Sequence, residues 1–139
     1  MTPVNFKVGE EEYQLLPHTG FEAMDLDRKV LGIVGKMARN GDLLEDDLYA
    51  MAALSTTLSD LGSSDYRWLV ETTFRNVTVV TPGKKNVSLS DIDAVAEHFA
   101  GHMNDMYTAL VGVWKAERLS PFAKAPKEPS GDSTTPTQS

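Results

Sequence analysis

At 139 residues, with 41% hydrophobic and 24% charged side chains, the chain has the size and composition of one domain able to bury a core without a metal or a disulfide. It has no cysteine, which excludes disulfide frameworks, thiolate metal sites and cysteine nucleophiles together. Its 13 Lys and Arg face 20 Asp and Glu, for a net charge of −7; nucleic acid and anionic membranes, which are recognised by clustered cations, are not expected partners.

The first residues carry neither the basic region nor the apolar region of a signal peptide. No apolar run approaches the roughly 20 residues of a membrane span. The expectation is a soluble protein that stays where it is made.

Val4, Phe6 and Val8 alternate with Asn5 and Lys7, the period of a half-buried strand. Gly9-Glu10 supplies a turn, and Glu11 to Leu16 forms a second strand with Tyr13 and Leu15 on one face. Such a hairpin is marginal alone and must pack on helices or pair with something else. Pro17 ends it, and Thr19 with Glu22 has the spacing of a capping box.

The helix that follows carries Leu26, Val30, Ile33, Val34 and Met37 on one stripe and stops at Asn40-Gly41. A second capping box, Asp42 to Glu45, opens a helix with Leu44, Leu48, Met51, Leu54, Leu58 and Leu61 at intervals of three and four, with Gly62 placed to end it. A third helix runs from Asp65 to about Phe74, capped by Ser63 or Ser64, with Trp68, Leu69 and Phe74 for burial. Val77 to Thr81 is β-branched throughout and reads as a short strand or an extended connection; Lys84-Lys85-Asn86 reads as an exposed loop. Ser90 caps the last and longest helix, about Asp91 to Leu119, with Ile92, Val95, Phe99, Met103, Met106, Leu110, Val113 and Trp114 along one face and a bend allowed at Gly101.

From Ser120 the chain turns rich in Pro, Ser and Thr, with Phe122 its one large apolar residue, and cannot offset its ordering entropy by burial. The reading is α+β and mainly α-helical: an N-terminal β-hairpin and four helices in one domain over 1–119, then a flexible polar tail over 120–139.

Motifs that carry chemistry are nearly absent. His98 and His102 stand four apart, a spacing that can hold zinc, but His-Phe-Ala-Gly-His lacks the adjacent glutamate of metalloprotease helices; solvent-facing histidines are the expectation. Pro82-Gly83-Lys84-Lys85 follows a strand-like run but lacks the first glycine and the final Ser or Thr of a phosphate loop. Asp42, Glu45, Asp46 and Asp47 lie at a helix start, where the dipole favours acids without any cation. His18 stands alone in a loop before a helix, and no serine sits in a nucleophile elbow. The sequence therefore predicts no catalysis, no metal and no cofactor. What remains is surface for partners: the hairpin edge (Phe6, Tyr13), the Met-rich face of the last helix (Met103, Met106, Trp114) and the tail with Phe122. Methionine suits adaptable binding surfaces.

The order of these features resembles the tail assembly chaperones of long-tailed, siphovirus-type bacteriophages. Phe6-Lys7-Val8-Gly9-Glu10-Glu11-Glu12-Tyr13-Gln14-Leu15-Leu16-Pro17 is similar to their short hairpin, a Gly turn followed by an aromatic and Leu-Pro. A helical body follows, closing in Trp114-Lys115-Ala116-Glu117-Arg118-Leu119-Ser120-Pro121-Phe122, and then a polar tail. The resemblance implies a protein made in the cytoplasm of the infected host and absent from the mature virion. It implies binding to the tape-measure protein and to tail-tube protein, polymerisation of the tube around the tape measure, repeated copies (a homo-oligomer), and in many members a longer frameshifted form. A small structural or completion protein of the virion is the alternative, and a small regulatory protein binding a host enzyme is a third reading.

Overall fold

The computed structural model describes residues 2–39 and 47–122. The expected capping box at Asp42–Glu45, the stop at Asn40-Gly41 and the flexible tail beyond Phe122 lie outside the described residues.

Strand β1 (Val4–Val8) and strand β2 (Glu11–Leu15) form the expected hairpin, with Phe6 opposite Tyr13 and Val8 opposite Glu11. Gly9 takes the first turn position at φ +60°, where a two-residue hairpin loop needs glycine. Two strands are too few to be stable in water. Strand β3 (Val77–Val79) pairs antiparallel with β2, and a two-residue strand β4 (Val87–Ser88) pairs with β3, giving a four-stranded antiparallel sheet in the order β1-β2-β3-β4. The β-branched run at Val77 is thus a strand. Val77 and Val79 are buried opposite Leu15 and Tyr13. Thr81 pins the hairpin turn by accepting the Glu12 N–H at 2.9 Å and donating to the Glu11 carboxylate.

Between β2 and β3 run helix α1 (Gly20–Arg39), helix α2 (Asp47–Ser59) and helix α3 (Ser63–Phe74). Leu26, Val30, Ile33 and Met37 of α1 are buried, as are Leu54 and Leu58 of α2 and Leu69 and Phe74 of α3, following the apolar stripes of the sequence. Gly62 does not end α2, which stops at Ser59; its extended backbone is the N-cap of α3. Glu22, expected in a capping box, instead pairs with Arg75 past the end of α3.

The long final helix is two helices. Helix α4 (Ile92–His98) is capped by Asp91, whose side chain accepts the Asp93 N–H, so Asp91 and not Ser90 is the cap. Helix α5 (Met103–Ala116) starts afresh after Gly101 at φ +80°. The sequence allowed a bend there; glycine's access to the left-handed region makes it a full break. Two separate helices let Phe99 pack against Phe74 and Tyr13 while α5 runs on through the core.

Helix α5 lies at the centre. It packs against β1 on one side and against α2 and α3 on the other. Ala109, Leu110, Val113 and Trp114 are fully buried. The Trp114 Nε1–H donates to Thr73 Oγ1 at 3.1 Å, so a buried indole is satisfied. The helix closes with Arg118 at φ +56°: Arg118 N–H reaches the Lys115 carbonyl and Leu119 N–H the Trp114 carbonyl, the two bonds of a Schellman cap. Ser120–Phe122 then forms a 3-10 turn on α1, with Ser120 donating to both carboxylate oxygens of Asp27.

Candidate partner-binding surfaces

The residues that sequence reasoning offered for partners divide on burial. Tyr13, Met106 and Trp114 are core residues, 0–2% exposed, and Met106 alone of the three reaches a groove, as part of its floor. The alternation that marks a strand and the stripe that marks a helix identify a face, and here those faces point inward. Phe6 and Phe122 are half-buried, and Met103 is 47% exposed. The six do not converge on one site.

Met103 is the rim of a groove of about 300 Å³ between α3, α4 and the start of α5. Tyr66, Val70, Val95 and Phe99 line it together with Met103 and Met106. Tyr66 is held by a hydroxyl contact of 2.9 Å with Tyr107, and burial pushes its phenol pKa up. A groove of this size and apolar lining fits one or two apolar side chains of a partner helix.

A surface that sequence reasoning missed lies on α1. Phe21 is 81% exposed, Met24 63% and Leu31 49%. They repeat at helical spacing on the side opposite Leu26, Val30 and Ile33. The signal was present as a second set of apolar positions outside the main stripe.

A second groove, of about 500 Å³, runs between the outer edge of β1 and α5, lined by Val4, Phe6, Thr108, Val111, Gly112 and Lys115. Phe6 stacks on Tyr13 with ring centroids 5.4 Å apart and lies over Gly112.

His98 is structural. His98 Nε2 lies 3.0 Å from the Tyr13 hydroxyl, and burial lowers its pKa. His102 is exposed at the start of α5, beyond the break, so the two do not share the continuous helix that zinc spacing requires. Among the described residues no cluster of three or more His, Cys, Asp or Glu is placed to hold a metal.

His18 is the residue whose role the sequence did not disclose. It is buried, with Nδ1 on the Glu117 carboxylate and Nε2 2.6 Å from the Thr72 carbonyl. A neutral imidazole can donate from only one ring nitrogen, and both here face oxygen atoms, an arrangement that favours the protonated ring. Burial opposes that charge; the Glu117 hydrogen bond and charge more than offset it, and the pKa is raised. The pair ties the β2–α1 loop to the ends of α3 and α5.

Among the described residues no helix is long and apolar enough to cross a membrane. The chain matches, over residues 9–125, the family model described as phage tail assembly chaperone protein. No curated protein and no solved structure matches it.

Proposed function

The chain belongs to the phage tail assembly chaperone family, and from that we propose that it binds the tape-measure protein, keeps it soluble and promotes polymerisation of tail-tube protein around it. The observation that carries this reading is the family match from the hairpin turn at Gly9 through the helical body to the start of the tail. The protein acts in the cytoplasm of the infected host, in repeated copies, and is left out of the mature virion.

The apolar groove under Met103 supports the reading. A tape-measure protein is expected to be long, helical and prone to aggregate before the tube encloses it. A helix laid in a groove by its apolar anchors is the recognition mode such a partner offers, and methionine repacks around unlike side chains. The net charge of −7 keeps an assembly of chaperone and tape measure dispersed. The folded domain contacts the tape measure, and the tail over 120–139 recruits tube subunits.

Binding is tested by replacing Met103 with Glu. The rim position is exposed, so the fold tolerates the change, while a carboxylate in the groove abolishes retention of tape-measure protein in a pull-down. Retention at the unmodified level removes the groove from the reading. A particle assay separates the chaperone from a structural protein of the virion, because the chaperone is missing from purified phage.

A further inference from the structure

The sheet ends at β1, and the pairing shows which of its backbone groups are free. The Val80 N–H donates to the Glu12 carbonyl and the Leu16 N–H to the Asn76 carbonyl, so residues 12, 14 and 16 aim their backbone at β3. By alternation, residues 11, 13 and 15 aim theirs at β1, where their partners are Val8, Phe6 and Val4. Asn5 and Lys7 therefore point N–H and C=O away from the sheet. Among the described residues nothing pairs with them.

We infer that a second copy of this chain adds its own β1 to this edge, antiparallel, joining two four-stranded sheets into one of eight. This rests on the repeated copies of the proposed function and names a surface that joins them in pairs. Only a few registers satisfy both edges at once. The one centred on Phe6 sets Asn5 against Lys7 of the second copy and Lys7 against Asn5 of the second copy, with four N–H···O=C bonds. Lys7 then faces an amide and no like charge, and its neighbour within its own sheet is Glu12. On the helix side, Phe6 meets Phe6 of the second copy, and Val4 meets Val8 of the second copy. Phe6 and Val4 are only half-buried within one copy.

The groove between β1 and α5 makes room for this. Gly112 brings α5 close under Phe6, so the two-fold axis that passes Phe6 also passes near Gly112. An antiparallel pair of α5 helices about that point sets Lys115 near Thr108 of the second copy, again without like charges in contact. An acidic peptide from another protein is the competing occupant, drawn by Lys7 and Lys115. The backbone parity and the apolar Val-Phe-Val row favour the second copy.

Sedimentation equilibrium on the chain alone tests this, with no tape-measure protein present, so its result is independent of the chaperone reading. The expected species is a dimer of twice 15.2 kDa. Of the backbone hydrogen-bonding groups, Lys7→Pro removes only the N–H aimed at the open edge; lost from both copies, it weakens the dimer about 30-fold. Its circular dichroism and melting curve check that the fold persists. Hydrogen exchange on the unmodified protein gives a second reading: the Asn5 and Lys7 amides become protected as concentration rises. A monomer at every concentration overturns the inference. So does a dimer that Lys7→Pro leaves intact with both amides exchanging freely, or an edge protected only when another protein is added.

Discussion

The ring of Phe6 occupies the space that a side chain on Gly112 would need: a Cβ built there comes within 2.8 Å of Phe6 Cε2 and 3.0 Å of Cδ2. A glycine in the middle of α5 is therefore the condition for the first strand to lie flat against the last helix, and with it for the free edge and its groove to sit where they do.

That relationship predicts a reversal of sign. Gly112→Ala gains about 1 kcal/mol of helix propensity but forces the Phe6 ring aside, costing about 1–3 kcal/mol. The net effect is destabilising. In a Phe6→Ala background the clash is gone, and the same Gly112→Ala change stabilises by about 1 kcal/mol. Urea denaturation of the four proteins of this cycle checks it. Equal effects in both backgrounds would show that the two residues are not coupled.

The His18–Glu117 pair predicts a pH dependence whose sign follows from the raised pKa of His18. A group bound more tightly to its proton in the folded state stabilises fully below the unfolded value of 6.5, and that contribution is lost as pH rises through the folded pKa. The stability advantage of the unmodified protein over Glu117→Gln is then largest below pH 6.5 and shrinks on the alkaline side. Thermal melts from about pH 5.5 to about pH 9 decide this; a constant difference contradicts it. His18→Ala leaves a buried carboxylate alone and costs about 3 kcal/mol at neutral pH.

Two neighbouring threonines on α3 predict opposite results. Thr73 Oγ1 accepts the Trp114 indole N–H, so Thr73→Val strands a buried donor and destabilises by about 1–3 kcal/mol. Thr72 Oγ1 is buried with no partner among the described residues, so the isosteric Thr72→Val is neutral or stabilising by up to about 1 kcal/mol. Chemical denaturation of the pair of variants distinguishes them, and equal losses would rule out the hydrogen-bond assignment.

The Schellman cap offers a gain. Arg118 holds a left-handed conformation that costs a non-glycine residue about 1 kcal/mol. Arg118→Gly relieves it and raises the melting temperature by a few degrees. A lowered melting temperature would mean that the arginine side chain contributes more than its backbone loses.

Much of this architecture was legible because local patterns and tertiary structure agree. Val4-Phe6-Val8 and the Gly9 turn specify the hairpin, and the stripes of α1 and of α4 with α5 specify which faces are buried. What was not legible depends on residues far apart in sequence. Whether Val77–Val79 pairs at all is decided by Leu15 and Tyr13, more than sixty positions earlier. Whether Gly101 bends or breaks a helix is decided by where Phe99 must reach to meet Phe74. The pairing of His18 with Glu117 spans 99 positions and has no local signature.

The partner surfaces were the least legible. Periodicity finds an apolar face but does not say what covers it, which is why Tyr13, Met106 and Trp114 prove to be core. The exposed residues of α1, Phe21, Met24 and Leu31, stand outside the main stripe and passed as ordinary surface.

Co-expression with the tape-measure protein tests the central claim most directly, with the soluble fraction of the tape measure as the readout. The account predicts that tape-measure protein, insoluble alone, stays in solution and purifies with many copies of this chain bound to each molecule. A tape measure that remains insoluble, with none of this chain retained on it, would contradict the chaperone reading.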